Sequence, residues 1–284
     1  MNYIEYAKVL TQALPYIQSL AGKIVVIKYG GNAMTSEELR KSVATDIVLM
    51  QCVGLKPVIV HGGGPDISEF LTKIGQESKF IDGLRYTDEK TMEIVKMVLG
   101  GKVNKDIVSL IESAGGKAIG LTGLDGSFIK AKKLEGPVDL GFVGEIISID
   151  TNIIDMALSA GYIPVIGSVA IGENTTESYN INADTCAAKL SAALKAEKLI
   201  LLTNVPGLMV DPKDPASLIS TLRLHEVKKL YADKIIHGGM IPKIECCVEA
   251  VRMGVKTAHI VDGTLHHSIL LELLSNEGIG TMIY

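Results

Sequence analysis

The stretch VIVHGGGPDI, residues 58–67, sets three consecutive glycines between an apolar run and a helix start. Val58, Ile59 and Val60 read as a short buried strand, and Pro65 suits the first turn of a helix. Each glycine loses more conformational freedom on folding than any other residue, so the run is unfavourable unless bare backbone is needed there. A tight strand-to-helix turn requires one or two glycines. Close approach of an anion to free N–H groups at a helix N-terminus accounts for the third.

The same rhythm recurs on both sides. KIVVIKYGG (23–31), KPVIVHGGG (56–64), KAIGLTG (117–123), YIPVIGS (162–168), KLILLTN (198–204) and TAHIVDG (257–263) are short apolar runs ending in Gly, Ser or Asn. Between several of them lie helical patterns: SEELRKSVATDIVLMQCVG, DISEFLTKIG, DEKTMEIVKMVLGGKVNKDIVSLIESAG and ADTCAAKLSAALKA. Buried strands alternating with amphipathic helices predict an α/β fold, an open, mostly parallel central sheet sandwiched between helices in three layers. Residues 124–150 break the rhythm and read as a β-hairpin insertion. Before the first strand, Tyr3, Ala7, Leu10, Leu14 and Ile17 share one helical face, and Pro15 predicts a kink in that helix.

Composition removes several function classes. A net charge of −4 over 284 residues gives no reason to expect nucleic acid. No apolar stretch is long enough to span a bilayer. The N-terminus carries Glu5 inside its apolar pattern and lacks a basic segment, so it does not read as a secretory signal. A cytoplasmic location is expected, or a plastid stroma if a transit peptide preceded the chain. Cys52, Cys186, Cys246 and Cys247 lack metal-ligand spacing and read as small buried hydrophobes in a reducing compartment.

In sheets of this kind, ligands sit at the carboxyl ends of the strands. The first strand ends in Lys28-Tyr29-Gly30-Gly31, the second in His61-Gly62-Gly63-Gly64 and the fifth in Thr203-Asn204. A late turn places Gly238 and Gly239 before a helix carrying Lys243. The P-loop motif, the dinucleotide Gly-x-Gly-x-x-Gly after the first strand and the protein-kinase motif set are all missing.

VIKYGGNAM, VIVHGGGPDI, GLRYTD, LTGLDG, YNINADTCAAKLSAAL, LLTNVPGL, GGMIPKI and GIGTMI follow one another in this order. On these segments the chain resembles the amino acid kinase superfamily over nearly its whole length. Carbamate kinase, uridylate kinase, glutamate 5-kinase and aspartokinase share the sheet and the first-strand lysine. GLRYTD followed by YNINAD is the pattern of the branch that phosphorylates N-acetyl-L-glutamate. Another member of the superfamily (glutamate 5-kinase, uridylate kinase or carbamate kinase), a non-catalytic regulatory protein on the same fold and a dinucleotide-dependent oxidoreductase are the alternatives; the charged positions are intact, and the oxidoreductase fingerprint is absent.

The resemblance implies transfer of a phosphoryl group from MgATP to the γ-carboxylate of N-acetyl-L-glutamate, the second step of arginine biosynthesis. It implies that Lys28 and Lys243 contact the phosphates and that Asp184 holds both lysines. Arg85 anchors the α-carboxylate, Asn180 hydrogen-bonds the amino-acid end, and Gly62 and Gly63 offer N–H groups to the substrate and the moving phosphoryl group. Gly30, Gly31, Gly238 and Gly239, with Thr203 and Asn204, fall to the nucleotide. Mg²⁺ is expected mainly on phosphate oxygens and water, with no protein ligand. His61 reads as structural, because an ionised carboxylate has no proton for it to take.

By the same resemblance, residues 1–22 serve oligomerisation and regulation, 23–195 bind the amino acid and form the dimer, and 196–284 hold the nucleotide, bordered by NVPGLMVDPKDP. Arginine-inhibited members carry a kinked N-terminal helix that interlaces dimers into a hexamer, a trimer of dimers. They also carry an effector site matched here by Tyr16, His259, Glu272 and Gly278. Feedback inhibition by L-arginine is therefore expected, and the PII signalling protein is a possible partner in a phototroph.

Overall fold

The computed structural model describes residues 3–30, 36–276 and 278–284. The chain opens with α1 (Tyr3–Gln12) and α2 (Leu14–Leu20), which part at Ala13. Pro15 falls in the first turn of α2, where its missing N–H is not needed. The predicted kink is present as a bend at Ala13, which keeps helical φ and ψ of −73° and −20° between the two segments. β1 (Ile24–Tyr29) follows, then α3 (Glu37–Cys52), β2 (Lys56–His61) and α4 (Gly64–Lys73). A short hairpin, β3 (Phe80–Ile81) and β4 (Leu84–Arg85), precedes α5 (Glu89–Lys96), which is capped by Asp88. A π-helical turn, Met97–Val103, joins α5 to α6 (Asn104–Ser113).

After β5 (Ala118–Thr122) come β6 (Ile129–Lys133) and β7 (Gly144–Ile149), the pair expected for the insertion. Next are α7 (Asn152–Ser159), β8 (Ile163–Gly167), β9 (Val169–Gly172), β10 (Ser178–Asn180) and α8 (Ala183–Ala193). The chain closes with β11 (Lys198–Thr203), β12 (Thr221–Leu222), α9 (Val227–Ala232), α10 (Met240–Arg252), β13 (Thr257–Asp262), α11 (Ser268–Leu274) and β14 (Thr281–Ile283).

The main sheet has eight strands in the order β12-β14-β13-β11-β1-β2-β8-β5, parallel except that β14 runs against β13. β1 lies at its middle, with Val26 level with Val58 and Leu199. Alternate residues of β1 and β2 face opposite cores. Val26, Val58 and Val60 pack under α8 and α10 through Leu190, Ile244 and Cys247. Val25, Ile27 and Ile59 pack against Ile47, Met50, Ile107 and Ile111 of α3 and α6. Burial on both faces explains why these strands read as continuous apolar runs.

The insertion is larger than the predicted hairpin. β6 and β7 join β9 and β10 in a second, four-stranded sheet. Cys186, Cys246 and Cys247 are buried thiols, whereas Cys52 is exposed at the end of α3, against the expectation that all four are buried. No helix among the described residues is long and apolar enough to cross a membrane.

Candidate active site

Lys28 is the fifth residue of β1 and points out of the carboxyl end of the sheet. Its Nζ lies 3.0 Å from Asp184 Oδ1. The helix cap that Asp184 could have provided is supplied instead by Asn182, whose Oδ1 accepts from the N–H groups of Asp184 and Thr185 at 2.9 and 3.1 Å. Asp184 is thereby left free to face the lysine. Its carbonyl accepts the Cys246 thiol at 3.1 Å, tying α8 to α10 below the pair.

A cleft of about 280 Å³ opens beside Lys28, lined by Gly30, Gly62, Gly63, Arg85, Ser168 and Asn180 among others. The glycines allow close packing. A Cβ on Gly62 would sit 3.2 Å from the Ala183 side chain, and one on Gly63 would sit 2.7 Å from Leu99 Cδ2. Arg85 is 7% exposed and held from several sides. Its Nη1 donates to Ser78 Oγ (2.6 Å), its Nη2 donates to Gly64 O (2.8 Å) and Ser68 Oγ (2.9 Å), and the Phe80 ring stacks 4.6 Å from Cζ. Thr87 Oγ1 donates to Arg85 O at 2.8 Å and therefore accepts from Asn180 Nδ2 at 3.1 Å. One buried hydroxyl thus links both candidate substrate residues.

A second groove of about 340 Å³ is mostly apolar, with Pro206, Leu208, Met209 and Met240 beside Asn204, Gly239 and Lys243. Lys243 stands on the first turn of α10 and makes no ion pair with Asp184, which is engaged by Lys28. The two lysines stand on different elements, one on a strand and one on a helix. Thr203 turns its hydroxyl inward, donating to Val205 O at 2.9 Å, and Asn204 faces the groove in its place. Gly238 adopts φ +54°, a turn that Gly tolerates, and Gly239 caps α10. Gly31 lies outside the described residues. Among the described residues, no group of three or more His, Cys, Asp or Glu converges in a metal-binding arrangement.

The four candidate effector residues meet in a separate cavity of about 420 Å³ at the opposite end of β11 and β13. His259 Nδ1 donates to Glu272 Oε1 at 2.6 Å, and Glu272 Oε2 accepts the N–H groups of Ile279 (2.8 Å) and Gly280 (2.9 Å). Burial pushes the Glu272 carboxyl up, but His259 and the two N–H groups together carry it below its ordinary value. Burial lowers the His259 imidazole, and its Nε2, facing the donor Lys198 Nζ at 3.1 Å, accepts from it. Tyr16 reaches the cavity from α2, donating to Asn276 Oδ1 at 2.7 Å. Gly278 sits at φ +63°, where a Cβ would come 2.9 Å from Glu272 Oε2.

Sequence reasoning missed Ser68, Ser78 and Thr87 around Arg85, Asn104 behind the glycines, and Lys198 in the effector cavity. Thr87 alone carried a signal, as part of GLRYTD; Lys198 read as an ordinary strand-opening lysine.

A cleft that offers bare backbone and a guanidinium beside a lysine–aspartate pair, together with a mostly apolar groove lined by a second lysine, fits a nucleotide-dependent transferase acting on an anionic acceptor. The amino acid kinase family profile matches residues 23–262. An acetylglutamate kinase of Clostridium beijerinckii is 66% identical over 284 residues, covering 100% of both chains, and one of Clostridium kluyveri is 62% identical over the same span. Among solved structures, an N-acetylglutamate synthase from Neisseria gonorrhoeae, complexed with coenzyme A and N-acetyl-glutamate, superposes with a TM-score of 0.84 at 25% identity; the match covers 100% of this chain and 63% of that one. The chain belongs to the amino acid kinase family, and within it to the acetylglutamate kinases.

Proposed function

We infer that this chain transfers the γ-phosphoryl group of MgATP to the γ-carboxylate of N-acetyl-L-glutamate, giving N-acetyl-L-glutamyl 5-phosphate and ADP in arginine biosynthesis. The observation that carries the reading is the cleft in which Lys28, Gly62, Gly63 and Arg85 converge, together with a mostly apolar groove that Lys243 lines. The acceptor carboxylate is ionised at neutral pH, so the nucleophile needs no base. The obstacle is pushing one anion against another, and the remedy is positioning with fixed positive charge.

In this reading Arg85 takes the α-carboxylate through its guanidinium fork. The Asn180 amide, oriented by Thr87, keeps Oδ1 available for the substrate N–H. Lys28, steadied by Asp184, and the N–H groups of Gly62 and Gly63 receive the charge that develops on the transferring group. Lys243 and Gly239 take the leaving phosphates, while Asn204 and the apolar wall hold the nucleoside. Mg²⁺ enters with ATP, held by phosphate oxygens and water.

Three finer assignments accompany the reading. L-Arginine binds between Glu272 and Tyr16 and inhibits, supported by an ionised carboxylate lining a roomy cavity. The chain assembles as a hexamer through α1, whose Tyr3, Ile4, Val9 and Leu10 are all exposed in a single chain. Residues 23–195 and 196–284 act as acceptor and nucleotide lobes of a cytoplasmic enzyme.

ADP release is the test, using MgATP with N-acetylglutamate, glutamate, aspartate or UMP, each with and without millimolar L-arginine. Turnover confined to N-acetylglutamate and suppressed by arginine is expected. Turnover with another acceptor, or with none, overturns the roles of Arg85 and Asn180; turnover indifferent to arginine overturns the effector assignment alone.

A further inference from the structure

His61 ends β2 with no exposed surface, and the transfer described above makes no use of its chemistry. Its ring touches polar partners on both sides. Nδ1 lies 2.9 Å from Gly62 O, and Nε2 lies 3.0 Å from Asn104 Nδ2. Which nitrogen carries the proton follows from Asn104. Its Nδ2 also faces Val165 O at 2.9 Å and Leu121 O at 3.2 Å. A flipped amide would set an oxygen against two carbonyls, so this end must be the donor. Asn104 Oδ1 accepts in turn from Lys105 Nζ at 3.1 Å. Nε2 of His61 is therefore an acceptor, and Nδ1–H donates to Gly62 O.

That donation fixes a peptide plane. In a trans peptide the C=O and the following N–H point in opposite directions. Drawing the Gly62 carbonyl toward the buried ring turns the Gly63 N–H the other way, and Gly63 lines the acceptor cleft. Among the described residues, that N–H has no protein acceptor. The far side of Gly63 is closed by Leu99 and Val103, both on the π-helical turn that leads directly into Asn104. Such turns are rare and concentrate at functional sites. Here one π-turn both backs the glycine and delivers the amide that locks the imidazole.

We propose that His61 is a positioning residue: locked by Asn104 as its neutral Nδ1–H form, it holds the Gly62–Gly63 peptide so that the Gly63 N–H faces the phosphoryl group in transfer. The proposal rests on the acceptor cleft assigned above. Burial reinforces it by pushing the imidazole down to about 4, with the Gly62 hydrogen bond and Asp66 opposing and Lys105 assisting.

Two measurements test it. Nitrogen NMR of the full-length, ¹⁵N-histidine-labelled protein at neutral pH reports the tautomer without turnover, so it is independent of the acceptor assignment. A His61 signal pair with a protonated Nδ1 and a bare Nε2, the reverse of the form favoured by free histidine, is expected. A protonated Nε2, alone or in an imidazolium, overturns the proposal. Steady-state kinetics then compare His61→Leu, which removes the donor, with His61→Asn, whose Nδ2 stands where Nδ1 was. His61→Leu should lower kcat by about 10- to 100-fold, below the full loss of an oxyanion donor, with both KM values within about 3-fold. His61→Asn should recover most of that loss. If kcat per folded enzyme is unchanged in His61→Leu, or falls equally in both variants, His61 only fills space. Should His61→Leu not fold, the tautomer of the unaltered protein decides.

Discussion

Acid should weaken this fold through His61 in a way that a single substitution can isolate. An unfolded imidazole takes up its proton near 6.5, whereas the folded one does so only at about 4, because burial opposes the charge. Between those values the unfolded chain binds the extra proton, so stability falls as pH falls. The ring is fully buried, so solvent screening calls for no discount. At 1.36 kcal/mol per unit, the whole gap corresponds to about 3 kcal/mol, of which about 2 kcal/mol is lost between pH 7 and pH 5. His61→Asn has no titrating group there, while Lys105 and Asp66 are common to both chains. Urea unfolding followed by far-UV circular dichroism at pH 7, 6 and 5 supplies the two profiles. Chain concentration must be fixed, since assembly adds its own mass-action contribution. The unaltered protein should lose about 2 kcal/mol more than His61→Asn over this range. Profiles that stay parallel within about 0.5 kcal/mol would refute the reasoning, because the native imidazole would then be charged or hydrated.

Arg85→Lys should raise the KM for N-acetylglutamate by about 10- to 100-fold and leave the KM for MgATP nearly unchanged, because one ammonium cannot present the two-pronged donor set now shared among Ser78, Ser68 and Gly64. Initial-rate kinetics check this. Asp184→Asn frees Lys28 from its 3.0 Å partner and should lower kcat by about 100- to 1,000-fold, with the circular dichroism spectrum unaltered. Glu272→Gln removes the charge that His259 and two backbone N–H groups stabilise; isothermal titration should show arginine affinity reduced by at least about 10-fold.

Much of the sheet was legible because its strands are buried on both faces. β1, β2, β8, β11 and β13 each appear as an apolar run of five or six residues that stops at a turn residue. β3, β4, β9 and β10, with two to four residues each, leave no periodicity to detect. The π-turn was hidden for another reason: its residues keep an apolar helical pattern, and only the phase beyond Val103 changes, which places Asn104 inward. At the site, charged residues next to glycines were readable because both are costly without a use. The hydroxyls of Ser68 and Ser78 were not, and that of Thr87 was only as one letter of GLRYTD. They come from a helix, a loop and the end of a hairpin, and become one support only when the chain folds back on Arg85.

β11 runs from one cavity to the other, with β13 beside it at the effector end, and this constrains any account of inhibition. Lys198, Thr257 and His259 stand at their entry ends, beside Glu272, while Asn204 follows β11 at its exit, on the nucleotide groove. Six residues of strand separate the ends by about 17 Å. Among the described residues, none lines both cavities. On the arginine reading, an effector therefore cannot displace ATP by contact, and a parallel strand paired on both sides is a poor hinge. The movable parts are the helices that wall the effector cavity. α11 carries Glu272 and is pinned at its start to α3, through His267 Nδ1 to Asp46 Oδ1 at 2.6 Å and His267 N–H to Ser42 Oγ at 2.8 Å. α3 in turn begins at Glu37, nine residues beyond Lys28 in the chain. On that reading, a ligand that shifts Glu272 acts first along α11 and across to α3, through the His267 contacts to Asp46 and Ser42.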